Sequence, residues 1–355
     1  MRSQKIIMLW LALVIVTIFS QIILGGYVRL TRSGLSMYDW HVVRGVIPPL
    51  TEEAWQEAFA NYQKTPEYRK INVNMDLKGY KEIFWREFNH RILGRVSGLL
   101  FVIPLFLFIF TGRLPWRENK LLLGAGILFA AQGVMGWYMV KSGLVNDPHV
   151  SPYRLAAHFW LALIILALIV WRALSILCGT GPVHRGLFQD KTGRSWLLFS
   201  VLLAIQITWG AFMAGLKAGH VSNTWPLMFG YWLPPNLLSG TGGFWHQWVA
   251  NSVTVHFIHR WLAFAVLGAA GLLAWSVRRI PRVEIPLKRG ATVLFGMVGL
   301  QITLGIWVIW ANVAIPPALL HQGFGVVVFI MTVFVLQRMA ATSLPTDMPY
   351  LAGKA

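Results

Sequence analysis

Glu87-Phe88-Asn89-His90-Arg91 and its echo, His256-Phe257-Ile258-His259-Arg260, each stand where a polar segment runs into a long apolar one. Each places a histidine and an arginine at the mouth of an apolar helix, an arrangement suited to a membrane boundary and of little use in a soluble core. Working outward from these two words, eight apolar runs of spanning length can be read, near 6–24, 92–111, 121–140, 155–174, 196–215, 254–275, 291–310 and 318–335. About 20 residues at a rise of about 1.5 Å cross a hydrocarbon layer of ~30 Å, so each run is long enough to span. With 56% hydrophobic and 12% charged residues, the 355-residue chain has too little polar surface for a soluble globule. The fold class expected is an all-α membrane protein with eight transmembrane helices in two pseudo-symmetric four-helix bundles.

The first run follows only Arg2 and Lys5, as a signal peptide would, but it is too long and lacks a small-residue cleavage pattern, so it reads as a retained helix. With no Arg-rich, acid-poor leader ahead of it, the chain reads as bacterial, or as an organellar protein already processed. The net charge of +18 is spread over short loops and forms no basic module, which argues against nucleic acid as a partner. Orientation explains it: with a cytoplasmic N-terminus the inner segments hold clusters such as Arg113, Arg117 and Lys120, or Arg278, Arg279, Arg282, Lys288 and Arg289. The three later outer loops hold only Lys141, Arg154 and Lys217. Both termini are then cytoplasmic, in a bacterial plasma (inner) membrane or a mitochondrial inner membrane.

The long first outer loop, 27–89, carries eight of the thirteen acids, and Thr51-Glu52-Glu53-Ala54-Trp55 within it predicts a short helix capped by the threonine and lying on the outer surface. Cys178 is the single cysteine and falls on the inner side, so neither an internal disulfide nor a cysteine metal site is open to the chain.

The helices repeat. Gln21 and Gly25 match Gln206 and Gly210, and the same offset aligns Gly34 with Gly219 and Trp40 with Trp225. Further on, His90-Arg91 matches His259-Arg260, Gln132 and Gly136 match Gln301 and Gly305, and His158 matches His321. Units of four helices are related by an axis along the membrane normal. The division expected is an N-terminal bundle over 1–175, a cytoplasmic linker over 176–195, a C-terminal bundle over 196–340 and a tail over 341–355.

His90, His158, His259 and His321 each fall within about the first turn of a helix that runs inward, so all four lie at one depth. Two imidazoles per bundle suit the axial ligands of one haem iron. The residue four places on is small in each case, Gly94, Ala162, Ala263 and Gly325, which leaves room on the same face for a macrocycle. A lone intramembrane histidine is ordinarily a hydrogen-bonded core residue; four related by a repeat are not so easily set aside. Zinc fits less well, since a third ligand in register requires Glu87 or His256. Arg91 and Arg260 are candidate partners of haem propionates, the alternative being arginines that snorkel to headgroups. Glu87 lies one turn above His90 on the same face, where the second half has His256. It is a candidate for proton or cation chemistry, or else an ion pair with Arg86 or Arg91. The asymmetry implies two pockets with different tasks. His41, His149, His220 and His246 read as solvated loop residues.

Residues 25–37, Gly-Gly-Tyr-Val-Arg-Leu-Thr-Arg-Ser-Gly-Leu-Ser-Met, then Tyr38-Asp39-Trp40-His41, Tyr62-Gln63-Lys64-Thr65-Pro66-Glu67-Tyr68, Glu87 to Arg91 and Asn223-Thr224-Trp225-Pro226-Leu227-Met228 resemble the haem A synthase family over essentially the whole chain, and most the branch shared by mitochondria and α-proteobacteria. The resemblance implies haem b (iron) as a cofactor held by His259 and His321 in the C-terminal half. In the N-terminal half it implies haem O as substrate with His90 and His158 as ligands and Glu87 as the acidic residue of the reaction. The reaction implied oxidises a methyl group through an alcohol to a formyl group, giving haem A for terminal oxidases. The cysteine pair that some bacterial members carry in their outer loops is absent here, which puts thiol-based electron delivery in doubt. The haem O synthase and cytochrome oxidase assembly factors are the candidate protein partners, and a homo-oligomer is a candidate assembly. Two readings compete: a two-haem membrane cytochrome that relays electrons without altering haem, and a transporter, which midplane sites at broken helices would favour.

Overall fold

The structure, a computed structural model, describes residues 2–38, 44–144, 148–179, 187, 191–239, 243–281 and 283–341. Asp39, Trp40 and His41 of the quoted motif, half of the 176–195 linker and the tail beyond 341 lie outside the described residues. The chain forms α1 (Arg2–Leu30), α2 (Glu52–Gln63), α3 (Pro66–Lys70), α4 (Leu77–Phe110), α5 (Lys120–Lys141), α6 (Pro152–Leu177), α7 (Lys191–Gly215), α8 (Phe244–Val249), α9 (Ser252–Arg279), α10 (Ile285–Trp310) and α11 (Ile315–Ala341). Eight of these, all but α2, α3 and α8, are long and apolar enough to cross a membrane, as the eight runs predicted.

In each half the four long helices form a closed ring. α1 packs on α4, α4 on α5, α5 on α6 and α6 back on α1; α7, α9, α10 and α11 do the same. Each ring encloses its own apolar core, one around Leu11, Phe101, Leu122 and Leu166, the other around Trp196, Ala270, Leu287 and Val335. The halves meet where α6 lies against α7 and α11, and where α1 lies against α11. Close approach there depends on small residues: a Cβ on Gly323 would stand 2.7 Å from Ile23 Cδ1, and one on Gly26 would stand 2.5 Å from Gln322 Oε1. Outward-facing side chains such as Leu9, Ile127 and Leu272 are exposed, as apolar groups that face lipid should be.

Two local features fix α1 and α4. Pro104 in the middle of α4 has no N–H for the Leu100 carbonyl one turn back, and in lipid an unmet carbonyl is costly. Trp10 of α1 supplies the missing donor, its indole N–H lying 2.8 Å from Leu100 O. The outer end of α4 starts at Leu77, well before the predicted start near 92, because Asp76 caps it by accepting from Gly79 N at 2.8 Å. This outer extension buries Tyr80, Ile83, Phe84 and Phe88 against Trp55 and Tyr62 of α2. Stacking of Tyr62 on Tyr80, centroids 5.0 Å apart, ties the loop helices to it. The capped helix at Thr51 is present as predicted, with Ala54 N donating to Thr51 Oγ1 at 3.2 Å.

Candidate functional site

The four histidines are presented by the second and fourth spanning helices of each half: His90 on α4, His158 on α6, His259 on α9 and His321 on α11. The expectation that each falls in the first turn needs correction. His158, His259 and His321 stand in the second turn, and His90 sits far inside α4 because of the Asp76-capped extension.

Each histidine is met in one way by the spanning helix before it. The side-chain amide of Gln21 donates to His90 O at 2.9 Å, Gln132 to His158 O at 3.1 Å, Gln206 to His259 O at 3.0 Å and Gln301 to His321 O at 2.9 Å. One turn along, a glycine leaves space for the imidazole. A Cβ on Gly25 would lie 2.9 Å from His90 Nε2, on Gly210 3.1 Å from His259 Cε1, and on Gly305 3.0 Å from His321 Cε1. At two of the small residues four places after the histidines the nearest neighbour is a glutamine amide: a Cβ on Gly94 would stand 3.2 Å from Gln21 Nε2 and one on Gly325 3.0 Å from Gln301 Nε2.

The C-terminal pair permits a test of fit. An imidazole nitrogen bonds a first-row metal at about 2 Å and lies ~1.1 Å from its ring centre, so two imidazoles facing each other across one metal would have centres about 6.2 Å apart. The rings of His259 and His321 are 6.4 Å apart by centroid, at 87° to one another. His321 Nδ1 is buried without a partner, as is His158 Nδ1 in the N-terminal half, where His90 and His158 are also near neighbours. Both pairs thus offer a nitrogen for which the protein supplies no use. Among the described residues no three His, Cys, Asp or Glu side chains converge on one point, which leaves pairs of imidazoles as the ligand sets on offer.

Above each pair an arginine grips a loop. Arg91 Nη2 donates to Met37 O at 3.2 Å, and Arg260 Nη2 donates to Ser222 O at 3.2 Å; these two carbonyls correspond in the repeat. Arg260 Nη1 also reaches Thr224 O at 2.9 Å, and its guanidinium lies over the Trp225 ring. Both arginines are buried, at 9% and 5% exposure, so neither snorkels to headgroups. Glu87 is buried too and pairs with Arg91, whose Nε donates to Glu87 Oε1 at 3.0 Å and whose Nη2 contacts the same oxygen. Glu87 Oε2 accepts from Ser36 Oγ at 2.7 Å and Met37 N at 2.9 Å. Of the two ion-pair alternatives, the structure has the one with Arg91; Arg86 pairs with Glu82. In the second half His256 occupies the corresponding place with no exposed surface. The Ala218 backbone lies beside it, yet neither ring nitrogen completes a hydrogen bond, and Arg260 Nε is likewise buried and unpartnered. Where the first half has a carboxylate of its own, the second has donors with nothing to receive them.

Sequence reasoning missed the part played by the glutamines and by Ser36 and Met37. The signal was present: Gln21, Gln132, Gln206 and Gln301 were the residues that revealed the repeat, and a polar side chain kept at one place in four apolar helices needs a partner in each.

A model of the family described as "Cytochrome oxidase assembly protein" matches residues 8–333. The chain is 39% identical over 330 residues to a protein of Nitrosospira multiformis named heme A synthase, covering 92% of this chain and 91% of that one. It is 40% identical over 329 residues to the heme A synthase of Maricaulis maris, covering 92% and 94%. To that of Agrobacterium fabrum it is 39% identical over 329 residues, covering 92% and 88%.

Proposed function

The chain belongs to the family of cytochrome oxidase assembly proteins that includes the heme A synthases, and from that premise we propose that it is itself a haem A synthase, a multi-pass membrane enzyme oxidising haem O to haem A. Conversion of a methyl group of haem O through an alcohol to a formyl group takes one oxygen atom from water and releases four protons and four electrons, the electrons going to an external one-electron acceptor. His259 and His321 are assigned to a resident haem b, and His90 and His158 to the substrate. The kinship to heme A synthases over nearly the whole chain carries the reaction, and the 6.4 Å separation of the C-terminal imidazoles, close to that of two imidazoles sharing one metal, supports the ligand assignment. When bound, a haem of this kind supplies an iron that takes up electrons one at a time.

The chain's own residues divide the remaining work. Gly25, Gly210 and Gly305 let three of the imidazoles lie close against the neighbouring helices. α2 and the outer end of α4 close the N-terminal half over with the rings of Trp55, Tyr62, Tyr80, Phe84 and Phe88, which keeps bulk water from its mouth. Beneath that cover Glu87, held by Arg91, Ser36 and Met37, presents a carboxylate one turn above His90, within reach of a substituent on the rim of the substrate. It is assigned a proton that leaves as the methyl carbon is oxidised. The haem pairs lie toward the outer face of a bacterial inner membrane with both termini cytoplasmic, as the distribution of basic residues supports. A relay cytochrome accounts for the four histidines equally well, but not for family membership or for the exchange of Glu87 with His256 between the halves.

Pigment extraction from the purified protein tests the reading. Mixed haem types are expected in the wild type, and His259→Ala or His321→Ala should remove haem b. Glu87→Ala should keep haem b while haem O or its alcohol accumulates, and Glu87→Gln separates charge from size. Haem b alone in both sites of the wild type, or normal haem A in both Glu87 variants, would overturn the corresponding assignment.

A further inference from the structure

The contact between glutamine and histidine is made four times, by four different helix pairs. That carbonyl is already an acceptor inside its own helix, so the glutamine bond is not needed to satisfy the backbone. What the bond does is bring an amide against the imidazole. Gln132 Nε2 lies 3.3 Å from His158 Nε2, Gln206 Nε2 3.2 Å from His259 Nδ1, and Gln301 Nε2 3.4 Å from His321 Nε2. Room is made on purpose: glycines at 94 and 325 admit the amide, and glycines at 25, 210 and 305 admit the ring. In all four, Oε1 is buried and has no partner, which a side chain used only to join helices would not need to tolerate.

We propose that Gln21, Gln132, Gln206 and Gln301 are positioning residues, each tethering the helix turn that carries one histidine and, at His158, His259 and His321, packing its amide against the imidazole so that the rotation of the ring is fixed. This rests on the reading of the histidines as haem ligands. A metal-bound imidazole holds its metal more firmly when neighbouring groups fix its orientation. Here the amide N–H is given to the histidine's carbonyl and the amide lies against the ring by contact, so a neutral side chain orients the ligand without adding charge to the membrane interior. The fourfold repetition then means that both halves hold their ligands by one device, whatever distinguishes their chemistry.

The purified holoprotein tests this through its resident haem b. Gln206→Leu and Gln301→Leu keep bulk and remove the amide. They are expected to loosen haem b by about 10- to 100-fold, to shift its midpoint potential, and to change its ferric low-spin electron paramagnetic resonance signal. Ring planes held at 87° give a strongly anisotropic signal, which a freed ring loses. Gln206→Glu keeps the shape but has no N–H for His259 O, so haem b should be loosened as in Gln206→Leu. Gln21→Leu should weaken haem O binding with the haem b signal untouched, which also certifies the fold should the C-terminal variants fail to assemble. Unchanged affinity, potential and resonance signal in the leucine variants would overturn the proposal, and so would an unaltered haem O affinity in Gln21→Leu. Wild-type protein without haem would overturn the ligand assignment instead. The glutamines are then tested by the ring-nitrogen resonances of 15N-histidine-labelled protein: a shift of those of His259 in Gln206→Leu sustains the proposal, and their constancy overturns it.

Discussion

At the scale of single residues, the outer loop holds a second buried acid besides Glu87. Glu67 is 4% exposed, accepts a hydrogen bond from Tyr62 Oη at 3.2 Å, and is raised to about 7 by loss of solvent, with a further push from the Glu87 carboxylate against the pull of Lys217 and Arg32. An acid raised in the fold stays protonated after the unfolded chain has ionised, so stability falls as pH climbs from the ordinary carboxylate value toward 7 and levels off above it. Thermal unfolding of the detergent-solubilised protein is therefore expected to lose midpoint temperature between about pH 4.5 and about pH 7. Glu67→Gln should flatten that slope; an equal slope in wild type and variant would show that Glu67 does not carry it. Glu67 was legible only as part of a family motif, because a loop acid is ordinarily solvated and its burial depends on how α2 and α3 fold over α4. Glu87 was legible as a choice between roles, and its ion pair with Arg91 became visible only with the loop carbonyls and hydroxyl that complete it. The placement of the four histidines on repeated helices, by contrast, was plain from residue type and repetition.

Among the elements, the spanning helices were read almost entirely from hydropathy, since the bilayer sets their length and little else competes. The start of α4 was not, because its outer turns obey a different rule: a capped amphipathic segment covered by aromatic rings continues the helix without any lipid around it. The Trp10 bond to the carbonyl freed by Pro104 was also invisible in sequence, where the two residues are 94 places apart and their helices not yet paired. It yields a cycle of variants. Trp10→Phe keeps the ring stacked near Phe101 but leaves Leu100 O unmet, with an expected cost of about 1–3 kcal/mol. Adding Pro104→Ala restores an in-helix donor and should recover much of that loss. Additive effects in denaturant titrations of the single and double variants would mean that the two residues do not act on one carbonyl.

For the whole molecule, eight candidate spans among the described residues are expected to leave the first and the last of them with their outer ends on one side, and the single cysteine can report which. An impermeant thiol reagent applied to intact cells should leave Cys178, exposed at the end of α6, unlabelled. It should label Lys217→Cys made in a Cys178→Ser background; the opposite pattern would invert the orientation. The pairing of halves was legible as a repeat of residue types, but the surfaces by which they meet were not, since Gly26 and Gly323 look like any small residues of a membrane helix. One consequence of the unlike rims concerns how long an occupant stays. In the first half Arg91 is already engaged by Glu87, so an incoming carboxylate must compete for it. In the second half Arg260 is held by backbone carbonyls alone, its Nε is buried without a partner, and a carboxylate arriving there meets no rival carboxylate. Like grips with unlike rims are expected to differ in dissociation rate, the occupant of the N-terminal half leaving the sooner. Challenging the loaded protein with an excess of a haem-scavenging globin should strip the N-terminal site well before the C-terminal one, and His256→Glu should speed departure from the latter.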